Sequence, residues 1–216
     1  QACRLAQAMW NQRARFGFDV PTLPVDDAIR AALRAPETTV FLSDSGDNPT
    51  AGAAGDVPFV LERLLALHVP DAVFAAIADA KATAQCYAAR VGATVDLTVG
   101  GKLDPINGRP LAIHGEIVHL APEAKGAATV RVDGIYVILT RERRAFTCLA
   151  DFREAGVEPL AHKIVVVKLG YLFPELRDVA PRAMMALSPG FADQDLLRIP
   201  YRQVRRPIYP LDREMT

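Results

Sequence analysis

T-V-F-L-S-D-S-G-D-N-P-T-A-G-A-A-G-D, residues 39–56, runs from a β-branched apolar stretch into a loop that carries Asp44, Asp47 and Asp56 among Gly46, Gly52 and Gly55. Thr39 to Leu42 predicts a strand, and from Asp56 onward Phe59, Val60, Leu64 and Leu67 fall at helical spacing, so the loop joins a strand to a helix. In open α/β sheets ligands bind where such loops leave the carboxyl ends of strands. The glycines let backbone N–H groups come close to a ligand, and the three carboxylates can serve a cation, a proton or a substrate amine. A plain Asp/Asn/Pro/Gly turn, with Asp56 capping the next helix, accounts for the same letters.

Outward from this loop the chain alternates between helix and strand. An amphipathic helix carrying Leu5, Met9 and Trp10 runs towards Phe16, and a link with Pro21 and Pro24 leads to a second helical stretch, Val25 to Leu33. After the loop, a helix ends near His68 and Ala72 to Ile77 reads as a buried strand. Asp79 then caps a helix through Arg90, Gly92 closes it, and Ala93 to Val99 alternates as a strand. From Gly100 the texture changes to G-G-K-L-D-P-I-N-G-R-P-L, followed by strands over Ala112 to Leu120, Thr129 to Val132 and Tyr136 to Thr140. Asp133-Gly134 marks a hairpin between the last two. Asp151 to Ala155 and Glu175 to Val179 read as short helices, Lys163 to Val167 and Arg182 to Leu187 as strands. The expectation is one α/β domain over residues 1–216: a mixed sheet with flanking helices, an antiparallel β-layer in mid-chain, and an extended Pro-rich C-terminal arm from Pro200.

Composition removes several classes of function. Half of the 216 residues are hydrophobic, enough for a large core, and 25 basic residues balance 25 acidic ones. That balance argues against a nucleic-acid partner, since neutralising phosphates takes a basic excess. No apolar run reaches the roughly 20 residues that cross a bilayer, so no membrane partner is expected. Cys3, Cys86 and Cys148 are too few and scattered for a disulfide framework. His68, His114, His119 and His162 show no spacing that sets two ligands on one helix face, so no metal is expected in this chain alone. The first helix starts at Gln1 without a capping residue, which predicts a piece of a longer polypeptide.

Two further loops carry candidate chemistry. Gly100-Gly101-Lys102 follows a strand and could aim N–H groups and an ammonium at an anion, although it fits neither a P-loop nor a dinucleotide fingerprint. Lys168-Leu169-Gly170 also follows a strand; if that strand and the one before the aspartate loop are parallel neighbours, Lys168 meets the aspartates. In the tail, Arg206 suits capture of a carboxylate, with pairing to the local Asp212 slightly favoured by spacing.

Four motifs in order, D-S-G-D-N-P-T-A-G-A-A-G-D, G-G-K-L-D-P-x-x-G-x-P-L, V-V-V-K-L-G-Y-L-F-P-E-L and R-R-P-I-Y-P-L-D, together resemble the C-terminal domain of the microcystinase C (MlrC) family of metallopeptidases. Thr50 and Ala51 replace part of the denser glycine run usual in that family. The resemblance implies a zinc-dependent hydrolase of short linear peptides whose zinc ligands, an aspartate and two histidines, lie in a larger N-terminal domain. On that basis this chain completes the cleft and is inactive or nearly so alone. Asp44 and Asp47 are then the candidate catalytic residues, and Asn48, Gly52, Asp56, Lys168 and Arg206 the candidate substrate-binding ones. The expected partners are the N-terminal metal-binding domain, a short peptide and, for an assembly role, further copies of the chain as a homo-oligomer. The expected compartment is the cytoplasm or the periplasm. The alternatives are an anion- or nucleotide-binding module built on Gly52, Gly55, Gly100, Gly101 and Lys102, and a non-catalytic assembly domain.

Overall fold

Val40–Asp44 (β2) lies inside a nine-stranded sheet, between Ile164–Val167 (β8) and Ala183–Leu187 (β9), and is parallel to both. The computed structural model describes residues 1–215. The remaining elements are Ala2–Gln12 (α1), Thr22–Pro24 (β1), Val25–Arg34 (α2), Phe59–Ala66 (α3), Ala72–Ala78 (β3), Ala80–Ala89 (α4) and Thr94–Val99 (β4). They continue with Leu111–Leu120 (β5), Ala127–Val132 (β6), Ile135–Thr140 (β7), Leu149–Glu154 (α5) and Pro174–Val179 (α6). The strand order is β1-β9-β2-β8-β3-β7-β6-β5-β4. From β1 to β7 the neighbours are parallel; from β7 to β4 they are antiparallel.

Burial on both faces explains the unbroken apolar runs in the centre of the sheet. Along β2 and β8, Val40, Leu42, Ile164 and Val166 join one core with α2, α3 and α4, while Phe41, Val165 and Val167 join a second with Phe146, Phe152 of α5 and Leu176 of α6. A strand covered on both faces has no polar side to show, so its sequence reads continuously hydrophobic. Phe41 and Phe74 are fully enclosed, each stabilising the fold by about 1.5–3 kcal/mol through burial. α2 is oriented by charge as well as packing: Asp26 and Asp27 sit in its first turn, and Arg63 of α3 holds Asp26 through two bonds of 2.7 and 2.8 Å. Asp79 caps α4 by accepting from Ala82 N at 3.0 Å.

Several expectations need correcting. The antiparallel strands β4 to β7 are a continuation of the one sheet and not a separate layer, because β7 pairs with β3 on one side and β6 on the other. The link holding Pro24 contains the edge strand β1, where proline is tolerated because no further neighbour needs its N–H. The turn out of α4 begins at Arg90, with φ of 75°, and Gly92 follows within it. Asp56 caps no helix: Pro58 occupies that position of α3. Residues 200–215 include bends and turns, with a bond from Asp212 N to Ile208 O at 2.9 Å. The Asp133-Gly134 hairpin is present, with φ of 48° and 85° as a two-residue primed turn requires. Among the described residues no helix is long and apolar enough to cross a membrane.

Candidate functional site

Three neighbouring parallel strands end at one place and each contributes a polar group there: Asp44 from β2, Lys168 just after β8, and Ser188 just after β9. Lys168 Nζ donates to Asp44 Oδ2 and Asp47 Oδ2, both at 2.9 Å, and to the Val57 carbonyl at 2.7 Å. All three hydrogens of the ammonium are thus used, with the side chain 1% exposed. Asp47 also accepts from Gly55 N and Val57 N, each at 2.7 Å, so its two oxygens tie the far end of the loop to its start. Ser188 Oγ donates to Asp44 Oδ1 at 2.5 Å and accepts from Gly46 N at 2.9 Å.

The electrostatics of this group follow from its burial. Removal from water raises the Asp44 carboxyl above its ordinary value; Lys168 and the Ser188 hydroxyl oppose that rise, and the nearby Asp47 reinforces it. Burial pushes the Lys168 ammonium down, but Asp44 and Asp47 outweigh it and the net shift is upward. The lysine is held charged between two acids. Its Nζ also lies 5.1 Å from the centre of the Phe74 ring.

Close backbone approach completes the loop. A Cβ on Gly46 would lie 2.1 Å from the Ser188 carbonyl oxygen, and one on Gly190 would lie 2.0 Å from the Gly46 carbonyl oxygen. Only glycine fits at that crossing.

A second network lies beside the first. Both Asp56 oxygens accept backbone N–H groups, from Lys102 at 2.7 Å, Leu103 at 2.6 Å and Asp104 at 3.1 Å, and the Asp56 carbonyl accepts from Gly101 N at 2.8 Å. The anion cradled by the Gly100–Lys102 turn is therefore a carboxylate of the same chain. Lys102 Nζ is engaged too, with Asp79 Oδ2 at 2.5 Å.

The predicted site residues are thus sorted by the structure. Asp44, Asp47, Asn48 and Lys168 come together, with Asp44 and Asp47 at 1% and 0% exposure and every carboxylate oxygen engaged. Asp56 is adjacent and fully buried. Asn48 uses Oδ1 on Thr50 N and Thr50 Oγ1, and its Nδ2 faces Gly170. Gly52, at φ of 94°, faces open space. Arg206 is bound through two nitrogens to Asp212, the pairing that spacing favoured. Sequence reasoning missed Ser188, and it named Lys102 without its partner Asp79; the Ser188-Pro189-Gly190 turn after a strand is the signal that could have found the first.

Apolar surface flanks the loop. Ile106 is 82% exposed and shares a cleft of about 300 Å3 with Pro189, Gly190 and Phe191, the segment packed on Gly46. Among the described residues no three His, Cys, Asp or Glu side chains gather to hold a metal, and the paired carboxylates already share an ammonium. This donor set does not fit a metal ion.

Comparison with known proteins agrees with the family resemblance. Residues 42–203 match the family model of the MlrC C-terminus. Microcystinase C of Sphingomonas sp is 30% identical over 151 residues, which is 65% of this chain and 30% of that protein. The crystal structure of a candidate metallopeptidase from Mesorhizobium sp. BNC1 superposes with a TM-score of 0.79 at 24% identity, over 97% of this chain and 44% of that one. At that identity the likeness is one of fold. The chain thus spans less than half the length of either relative. The match to the family model covers well over half of the chain, which therefore belongs to the MlrC C-terminus family.

Proposed function

We propose that this chain is the cleft-completing C-terminal half of a zinc-dependent peptidase acting on short linear peptides, with zinc and its ligands in the preceding part of the polypeptide. The observation that carries this reading is the braced loop at the carboxyl ends of β2, β8 and β9, with exposed apolar residues such as Ile106 and Phe191 beside it. A rigid polar loop rimmed by apolar surface suits a cleft wall that a second domain covers. Asp44, Asp47 and Lys168 act here as positioning residues, because contact with substrate would require leaving a saturated, buried network. Asp56 holds the 102–104 turn in the same way. Asn48 Nδ2 and the backbone of Gly52 are the groups with room to meet a peptide. Arg206, paired with Asp212, would have to exchange that partner for a substrate carboxylate.

The test is zinc content and hydrolysis of short linear peptides, measured for this chain and for the longer polypeptide. Zinc and turnover are expected only in the longer protein, with Asn48→Ala raising KM. Turnover by this chain alone would overturn the assignment. A defined oligomer of this chain, in a longer protein without turnover, would favour the assembly reading instead.

A further inference from the structure

A second cleft, of about 310 Å3, opens on the sheet face opposite the Asp44–Lys168 group. Its floor is the carboxyl-terminal part of β2 and the start of β9, at Ser43, Ala183 and Met184; Asp19 and Val20 of the link before β1 form one wall, and Gly170 to Leu172 with Arg177 of α6 the other. Side chains alternate along a strand, so Ser43 points away from the face that carries Leu42 and Asp44. Asp19 N bonds to the Tyr171 hydroxyl at 3.4 Å, which joins the two walls.

Three observations concern what the cleft takes. Ser43 is 4% exposed, yet its hydroxyl makes no hydrogen bond among the described residues and it lines the cleft. A hydroxyl that opens into a cavity without a partner in its own chain is a place for a ligand's polar atom. Among the described residues Asp19 and Arg177 bring opposite charges to the same cleft without pairing with each other, and the one carboxylate there within ion-pair reach of Arg177 is its neighbour Asp178 at 3.7 Å, where both side chains are largely exposed. Between these charges the surface is apolar, through Val20, Leu172 and Ala183. The volume is at the bottom of the roughly 300–1,000 Å3 range of small-molecule pockets, which suits a ligand of amino-acid size.

We propose that this cleft binds an apolar α-amino acid as its zwitterion. The carboxylate lies towards Arg177 and the Ser43 hydroxyl, the ammonium towards Asp19, and the side chain on Leu172 and Ala183. A lone carboxylate would meet Asp19 and a lone amine would meet Arg177, so the ligand carries both charges. This inference is independent of the peptidase reading and stands whether or not hydrolysis is found.

The test is a titration of the full chain, followed by amide NMR shifts, with L-leucine, N-acetyl-L-leucine and L-leucinamide. L-leucine is expected to bind with Kd of about 1 mM, moving the amides of Gly170 to Leu172 and Ala183 to Met184, with each blocked analogue at least about tenfold weaker. Asp19→Asn, at an exposed position, and Ser43→Val, which keeps strand propensity, should each weaken L-leucine about tenfold while the remaining spectrum is retained. No shift at these amides with L-leucine at about ten times that Kd would overturn the proposal. So would equal binding of the three probes, or wild-type binding by Asp19→Asn.

Discussion

Lys168 and Asp44 are 124 residues apart in the chain, yet Nζ and Oδ2 lie 2.9 Å apart with both side chains 1% exposed. They meet because β8 and β2 are parallel neighbours in register from Val40 with Ile164 to Ser43 with Val167. The next residue on each strand is one of the pair.

Lys168→Met should destabilise the fold by about 3–5 kcal/mol, because it leaves Asp44 and Asp47 buried without their shared cation. Urea denaturation checks this. A loss below about 1 kcal/mol would mean that water reaches the two acids.

Asp44→Asn and Asp47→Asn should differ sharply. At position 44 an amide can give its oxygen to Lys168 and its N–H to the Ser188 hydroxyl, which can turn to accept, so the loss should stay within about 1 kcal/mol. At position 47 three donors, Gly55 N, Val57 N and Lys168, converge on two oxygens. Replacing one oxygen by NH2 sets donor against donor, and about 3–5 kcal/mol should be lost. Thermal melts of the two variants side by side give the order.

Stability should depend on pH through this cluster. The folded Asp44 carboxyl lies above its ordinary value of 3.8, so the native state binds the proton more tightly than the unfolded chain does. Its contribution is complete below pH 3.8 and is lost as pH rises through the folded value. Asp44→Asn should remove that fall. The Lys168 contribution is complete below pH 10.5 and declines as pH rises through its raised folded value. Unfolding free energies measured in urea across both windows, for the native chain and the Asp44→Asn variant, test both signs.

Asp56→Ala should unlock the turn after β4. Three backbone N–H groups at Lys102, Leu103 and Asp104 lose their acceptor, so their amide exchange should accelerate far more than that of β3, at a cost of about 1–3 kcal/mol. Unchanged exchange at those three amides would show that the turn holds itself.

Arg206→Gln should release Asp212, which the hydrogen-bonded Arg206 guanidinium and the Ile208 N–H hold down to about 2. An NMR titration should then find Asp212 closer to its ordinary value of 3.8. The pair is at the surface, so the melting temperature should barely move.

Much of this was legible locally. The apolar run before the aspartate loop, the Asp79 cap and the Asp133-Gly134 hairpin were visible because strand propensity, side-chain capping and positive φ are decided within a few residues. The brief strand β1 was hidden because its identity comes from β9 alone. The partner of the Gly100–Lys102 turn was hidden for a like reason: a cradle of N–H groups reads the same whether it holds a ligand or a carboxylate from 46 residues earlier.

The sequence by itself determined the α/β alternation, the two-sided burial of the central strands and membership of the MlrC C-terminus family, whose match spans the first three of the four motifs. Tertiary structure alone decided that the antiparallel strands extend one sheet, that Ser188 completes the Asp44 network, and that Asp44, Asp47 and Asp56 point inward to cations and N–H groups of their own chain. The physical reason is range. Periodicity and turn chemistry act between near neighbours in sequence, whereas the partner that satisfies a buried charge is fixed by which strands lie side by side, a choice made by the packing of the whole sheet.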